Sequence, residues 1–159
     1  MIVFSFTLQV DASASEAFRV VADPRSKLMW VPAIRRVEMQ LDGPPALGTR
    51  YLTSSGFGPL EFVFDEEVTE WVEDKRLAYR GCSRWGAFEA RAWFEPADGG
   101  TRVRYQMDYT FPVGWLGYAV GWALTRLYRR AVEAATVKWL KSVIEQRWSS
   151  GRIVEDARS

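Results

Sequence analysis

Apolar and polar residues alternate along most of the first 110 residues, with the period of two that marks a strand with one buried face. The first segment places five apolar residues on one face: Ile2, Phe4, Phe6, Leu8 and Val10. Six further segments, bounded by turn residues, read as strands: Ile34–Leu41, Thr49–Ser55, Leu60–Val72, Arg76–Arg84, Ala87–Glu95 and Thr101–Phe111. Short links of this kind join antiparallel neighbours, so the pattern predicts a seven-stranded antiparallel sheet with one apolar face.

Two short helices are predicted after the first strand. Ser13 and Glu16 form a capping box, and the apolar spacing behind them predicts a helix that ends near Asp23-Pro24. A second helical turn is predicted from Arg25 to Val31, because the following proline, Pro32, cannot continue a helix.

The C-terminal part of the chain has a different period. After Pro112 the apolar residues recur at helical spacing, which predicts one long helix from Trp115 to near Trp148. No linker or internal repeat interrupts the pattern, so we expect a single domain over residues 1–150 and a flexible polar tail over residues 151–159.

Composition excludes several classes of function. The formal net charge is only +1, which argues against nucleic acid as a partner. The chain has no histidine, so neither a histidine-activated nucleophile nor a histidine-ligated metal site can form, and we expect no metal and no cofactor.

A lone cysteine, Cys82, and an alternating N-terminus unlike a signal peptide predict a cytoplasmic location. The uncharged stretch around Pro112 is interrupted by glycines, so stable insertion into a membrane is not expected.

The element order resembles that of the SRPBCC superfamily, which includes START domains and the birch pollen allergen group. The similarity is closest to the bacterial polyketide cyclase/dehydrase-like branch and extends over about residues 2 to 147. It is carried by six segments: Val10–Phe18, Asp23-Pro24 with Met29–Pro32, Leu47–Tyr51, Lys75–Arg80, Gly99–Val103, and Leu140-Lys141 followed by Glu145. The resemblance implies an α+β helix-grip fold, in which a curved antiparallel sheet wraps the long C-terminal helix and encloses an apolar cavity.

The expected function is binding or transport of a hydrophobic small molecule, such as a lipid, a quinone or a polyketide-like aromatic. The cavity of such a protein is lined by apolar and aromatic side chains with a few polar groups. The candidate lining residues are Trp30, Tyr51, Phe57, Phe62, Phe64, Tyr79, Phe88, Ala90, Tyr105, Tyr109, Val120 and Leu124. For any single inward aromatic residue among them, a place in a densely packed core is the preferred interpretation, and lining of a cavity is the alternative that stays open.

Glu66 is the candidate catalytic residue. It shares the inward parity of Phe62 and Phe64, and an inward carboxylate could serve as the acid or base of a polyketide cyclase or dehydratase. Cyclases of this fold often use an arginine inside the pocket, and no inward arginine is evident. The interpretation that we prefer is a bulge within Asp65–Glu67 that leaves all three carboxylates in solvent, so a non-catalytic ligand binder is favoured over the enzyme. A protein-interaction module is the third alternative.

Three surface features add expectations about partners. Gly56–Pro59 lies where this fold commonly has an entrance loop, and Phe57 either gates the cavity or caps the core. The aromatic start of the long helix, near Trp115, lies close to arginines; it either closes one end of the cavity or touches a membrane transiently. The protein is expected to be a monomer or a homodimer, with Trp71 or Trp93 in a contact patch on the outer face of the sheet.

Overall fold

The computed structural model describes residues 2–57, 59–110 and 133–146. The elements in chain order are β1 (Ile2–Val10), α1 (Ala14–Ala22), a 3-10 turn (Pro24–Ser26), α2 (Lys27–Trp30), β2 (Ile34–Met39), β3 (Arg50–Phe57), β4 (Leu60–Val72), β5 (Arg76–Ser83), β6 (Gly86–Ala97) and β7 (Gly100–Thr110). A helix over residues 133–146 follows, named α3 here. The seven predicted strands and both short helices are therefore confirmed. The predicted long helix is described only over α3, and residues 111–132 and 147–159, which include the expected tail, lie outside the described residues.

The strands form one antiparallel sheet in the order β1-β7-β6-β5-β4-β3-β2. From β2 to β7 each strand pairs with the next one along the chain, as the short turns predict. β1 is the exception, because it crosses over to pair with β7 along its whole length, from Ile2 opposite Tyr109 to Val10 opposite Thr101. The sheet curls into a half-barrel whose concave face receives the helices.

One half of the concave face, called the packed half here, is sealed by α1 and α3. Its side chains are almost completely buried: Leu8, Val10, Phe94 and Val103 of the sheet, Phe18 and Val21 of α1, and Leu140 and Ile144 of α3. α1 begins at Ser13, whose hydroxyl accepts a hydrogen bond from the backbone N–H of Glu16 and caps the helix. The backbone N–H of Asp11 donates to Glu145 Oε1 at 3.2 Å, which places the C-terminal end of α3 at this end of the sheet.

A β-bulge in β4 changes which side chains face the core. Val68 pairs with Tyr79 and Glu70 pairs with Ala78, so Thr69 is an extra residue on β4. The extra residue reverses the alternation beyond Val68, and Trp71 therefore packs edge-on against Phe18, with 5.0 Å between the ring centroids. The expectation that Trp71 belongs to a patch on the outer face is wrong.

Trp93, the other residue of the expected patch, does face outwards. Its ring lies under the guanidinium of Arg104 on the neighbouring strand, 4.6 Å from the ring centroid. A contact between protein copies through Trp93 stays a prediction.

The hairpin between β3 and β4 is tighter than the expected entrance loop. Gly56 and Phe57 still belong to β3 and pair with Glu61 and Leu60, so the connection contains only residues 58–59. The side chains of Phe57, Val120 and Leu124 and the aromatic segment near Trp115 lie outside the described residues. Of the helices in the described ranges, none is long and apolar enough to cross a membrane.

Candidate ligand-binding site

The other half of the concave face, called the open half here, consists of inward-facing apolar side chains that remain partly exposed: Phe4, Phe6, Phe62, Phe88, Met107 and Tyr109. Phe88 and Tyr109 stack with 6.4 Å between their ring centroids, and Phe64 meets both rings edge-on. Side chains of the same parity are fully buried in the packed half. The open half presents an apolar, largely aromatic surface on the inner side of the sheet.

Gly81 gives the open half its shape. It pairs with Phe88 on one side and with Glu66 on the other. A Cβ atom at this position would lie 2.4 Å from the Phe88 ring and 3.1 Å from Cγ of Glu66. The missing side chain therefore lets the ring of Phe88 lie over β5, next to Glu66.

A buried polar cluster adjoins the open half and is centred on an ion pair. Lys27 Nζ lies 2.5 Å from Glu66 Oε2, and the two side chains are only 5% and 2% exposed. Lys27 Nζ also donates to the hydroxyl of Tyr51 at 2.9 Å, and Thr53 Oγ1 donates to Glu66 Oε1 at 2.5 Å. The third side of the ammonium group faces the ring of Tyr79, 3.8 Å from its centroid. Every polar group of the ion pair is therefore matched within the protein.

The turn before α2 directs Lys27 towards the sheet. The side chain of Asp23 accepts from the backbone N–H of Arg25, which starts the 3-10 turn, and α2 follows directly at Lys27. Lys27 and Trp30 are three residues apart and so share one face of the short helix. Trp30 is anchored in turn, because its Nε1 donates to Ser26 Oγ at 3.0 Å.

Two phenols form a second polar contact beside the ion pair. The hydroxyl of Tyr79 on β5 hydrogen-bonds the hydroxyl of Tyr105 on β7, across the intervening strand β6. They can meet because β6 carries only alanines beneath them: Ala90 pairs with Tyr79 and Ala92 pairs with Tyr105. The ring of Tyr105 stacks on Phe6, with 5.1 Å between the centroids.

Burial controls the protonation of this cluster. Burial lowers the pKa of Lys27, and the charge and hydrogen bond of Glu66 partly offset that effect. Burial raises the pKa of Tyr79 and Tyr51 well above the usual phenol value, and for Tyr51 the Glu66 carboxylate adds to the effect. Burial also raises the pKa of Tyr105. The phenols are therefore neutral hydrogen-bond donors throughout the physiological pH range.

The structure brings most of the candidate lining residues to one face of the sheet, at different depths. Trp30, Tyr51, Phe64, Tyr79, Ala90 and Tyr105 are buried, whereas Phe62, Phe88 and Tyr109 stay partly exposed. The first group packs in the core or belongs to the polar cluster. The second group forms surface that a ligand could contact.

The preferred interpretation of Glu66 is wrong, because this side chain is not solvated. The pairing of β4 stays regular at Glu66, which lies opposite Tyr51 and Gly81, and the bulge occurs three residues later at Thr69. The carboxylate can stay buried because Lys27 and Thr53 satisfy its two oxygens. No cluster of three or more possible metal ligands occurs in the described ranges.

Sequence reasoning missed Lys27 and Thr53. Two signals could have found Lys27: an inward carboxylate needs a cation, and Lys27 lies three residues before Trp30, already a candidate for the site. Thr53 shares the parity of Tyr51 on β3, so the same alternation places it inward.

Solved structures with the same arrangement support the fold. The Zhui aromatase/cyclase from Streptomyces sp. R1128 superimposes with a TM-score of 0.72 at 14% identity, covering 92% of this chain and 94% of the other. TTHA0849 from Thermus thermophilus gives a TM-score of 0.70 at 17% identity, with coverage of 94% and 99%. The structure of Ara h 8.0201 gives 0.61 at 14% identity, with coverage of 89% and 98%. These similarities confirm the predicted helix-grip fold.

Sequence comparison identifies the family. No curated protein sequence matches the chain. A family model described as "Polyketide cyclase / dehydrase and lipid transport" matches residues 1–144, which is nearly the whole chain. Together with the fold, this match shows that the chain belongs to the polyketide cyclase/dehydrase and lipid transport family of the SRPBCC superfamily.

Proposed function

We propose that the protein binds and carries an apolar small molecule, of the lipid, quinone or polyketide-like aromatic class, against the open half of the sheet. The observation that carries the proposal is the contrast between the two halves of the concave face. Aromatic side chains that point inwards would normally be buried, and in the open half they keep accessible surface. Covering that surface with an apolar ligand would contribute about 25 cal/mol per Å² of apolar area removed from water.

The family supports the same class of ligand. Its description combines polyketide cyclisation with lipid transport, and both involve apolar molecules. One protein with the same fold is an aromatase/cyclase. Its activity is compatible with an aromatic or polyketide-like ligand for this chain.

The polar cluster favours binding over catalysis. Glu66 is the buried carboxylate closest to the open half, and both of its oxygens already accept hydrogen bonds from Lys27 and Thr53. A general base also needs an oxygen within reach of the substrate proton, and the side chain of Glu66 is only 2% exposed. We therefore assign the ion pair of Lys27 and Glu66 to holding α2 against the sheet.

Truncating an aromatic side chain of the open half should weaken ligand binding, whereas the same change on the outer face of the sheet should not. In Phe88→Ala the ligand loses the ring that stacks with Tyr109, and we expect its Kd to rise at least about tenfold. The matched control is Trp93→Ala, which removes an aromatic ring from the opposite face of the same strand and should change the Kd by less than about twofold.

The ligand for this test comes from the protein itself. Native mass spectrometry of the freshly purified protein should show a stoichiometric apolar adduct, which organic extraction releases for identification. Titration of the extracted ligand into both variants, followed by tryptophan fluorescence, gives the two Kd values. A clean unliganded mass that persists after incubation with a mixture of lipids and aromatic compounds would contradict the proposal and favour a protein-interaction module.

A further inference from the structure

The short helix α2 exposes two apolar side chains and buries a charged one. Leu28 and Met29 are each 48% exposed. Lys27 and Trp30, on the opposite side of the same helical turn, are buried. A surface helix normally places its charged side chains in solvent and its apolar ones against the core. The ion pair with Glu66 holds the buried lysine, so α2 is fixed with two large apolar side chains facing outwards.

The turn between β5 and β6 exposes a third large apolar side chain. Trp85 at the tip of this turn is 40% exposed, and the guanidinium of Arg84 lies 4.6 Å from the centroid of its ring. The same ring meets Phe62 of the open half edge-on, with 5.9 Å between the centroids. An aromatic ring and a cation therefore share the tip of a turn beside the open half.

α2 and the β5–β6 turn lie at the same end of the sheet. The segment after α2 joins the end of β3, where the backbone N–H of Gly56 donates to the carbonyl oxygen of Ala33 at 2.9 Å. The neighbouring Ser55 pairs with Phe62, whose ring meets Trp85. Because β3 and β4 lie between β2 and β5, a strand spacing of about 4.8 Å puts the two sites on the order of 15 Å apart.

The two segments that carry these side chains contain basic residues and no acidic ones. Neither residues 24–37 nor residues 79–88 include an Asp or a Glu, and both include arginines. The carboxylates that flank the first segment, Asp23 and Glu38, form ion pairs with arginines inside it. The acidic side chains nearest to the second segment on the neighbouring strand β4 are Glu61 and Asp65. The exposed apolar side chains are therefore flanked by cations along the chain.

This arrangement fits a lipid surface better than a protein partner. A protein interface of ordinary size buries about 1,200–2,000 Å² of continuous, complementary surface. Here the apolar side chains stand at two separate points, and lipids can move to surround each point independently. Tryptophan and arginine are also suited to the boundary between acyl chains and anionic headgroups, because each combines an apolar body with a polar end.

We propose that this end of the protein docks on the surface of an anionic lipid bilayer, with Leu28, Met29 and Trp85 inserted between the headgroups. The inference goes beyond the proposed function, because docking requires no ligand in the open half. Insertion removes the three exposed side chains from water, and Arg84 lies at the level of the lipid phosphates. The docked protein holds the open half, at Phe62, next to the lipid.

Flotation with lipid vesicles tests the inference. The full chain is mixed with vesicles of equal parts phosphatidylcholine and phosphatidylglycerol, and separately with vesicles of phosphatidylcholine alone. We expect the protein to float with the anionic vesicles and to bind the neutral ones about 3- to 5-fold more weakly, because the arginines lose their anionic partner. Added salt should reduce this difference, since it screens the attraction.

Variants of the exposed side chains locate the docking surface. Leu28→Gln combined with Met29→Gln makes the outer side of α2 polar and keeps good helix formers there. We expect its partition coefficient to fall at least about 10-fold on both kinds of vesicle. Trp85→Gln should cause a fall on both kinds as well, whereas Arg84→Gln should weaken only the binding to anionic vesicles.

The matched control is Leu41→Gln combined with Leu47→Gln. These leucines are even more exposed, but they lie in the loop at the opposite end of β2, so the partition coefficient should not change. Urea unfolding of each variant shows whether a loss of binding comes from misfolding. The Kd for the extracted ligand, measured without vesicles, should be the same for the α2 variant as for the parent protein.

The other outcomes would overturn the inference in different ways. A parent protein that does not float with anionic vesicles would refute docking and leave the proposed function intact. An equal fall for the Leu41 and Leu47 control would refute the assignment to this end of the sheet. Binding that survives both apolar variants would point instead to the segment near Trp115. Dimerisation in sedimentation experiments that the α2 variant abolishes, without vesicle binding, would assign the surface to a second copy of the chain.

Discussion

Replacement of Lys27 by methionine is expected to lower the free energy of unfolding by about 3–5 kcal/mol. The substitution keeps the volume of the side chain but leaves the Glu66 carboxylate buried without its cation, and uncompensated buried charges cost that much. Lys27 also holds the hydroxyl of Tyr51, so the loss includes a hydrogen bond of the same cluster. Urea unfolding followed by tryptophan fluorescence measures the change.

Two further variants show whether the loss comes from the unpaired charge. Lys27→Met combined with Glu66→Gln removes both charges and keeps an acceptor for Thr53, so it should recover most of the lost stability. Arg80→Met breaks an ion pair with Glu67 that lies in solvent on the outer face, and its effect should be within the error of the measurement. A loss for Lys27→Met no larger than that for Arg80→Met would contradict a structural role of the buried pair.

Alkaline pH is expected to destabilise the protein through its buried phenols. Tyr51, Tyr79 and Tyr105 have pKa values raised above the value of about 10 that they have in the unfolded chain. Their contribution to stability is complete below about pH 10 and is lost as the pH rises, because the unfolded chain then releases protons that the folded protein retains. Three such phenols predict a loss of about 4 kcal/mol by pH 11.

The titration of Lys27 changes the free energy of unfolding in the opposite direction and over a different pH range. Its lowered pKa means that the unfolded chain binds the proton more tightly, so stability rises with pH up to about 10.4 and is then constant with respect to this group. Above that pH the phenols act alone. The Tyr79→Phe, Tyr105→Phe double variant should lose only about a third as much stability, since one raised phenol remains.

Phenolate absorbance checks the same prediction in the folded state. Of the six tyrosines in the chain, the three of the polar cluster should ionise only when the protein unfolds. A single titration of all six near pH 10, with the fold intact, would show that the cluster is accessible to hydroxide and not buried.

The strands and their inward faces could be predicted because burial follows a simple period. On β6, Phe88, Ala90, Ala92 and Phe94 alternate with charged residues and Trp93, and the structure places these four inward. The capping box at Ser13 likewise marks the start of α1 without any long-range information.

The alternation of the strands alone does not predict the polar cluster, because the cluster depends on contacts between distant segments. The parity of β4 places Glu66 inward, but a buried carboxylate is acceptable only with a cation, and that cation is 39 residues away on α2. The prediction for Trp71 is wrong because one extra residue, Thr69, reverses the alternation of β4. No glycine or proline in the sequence marks this bulge.

The division of the concave face bears on how this chain can change over evolutionary time. The named side chains of the packed half are almost completely buried, whereas Phe62, Phe88 and Met107 of the open half keep part of their surface exposed, so each of these three contributes less burial to folding than a fully buried side chain of its size would. Substitutions at Phe62, Phe88 or Met107 are therefore expected to lower the free energy of unfolding only slightly, and proteins have little of that free energy to lose. New ligand preferences can accumulate there without a compensating change elsewhere, and the same fold occurs in solved structures that share only 14–17% of their residues with this chain.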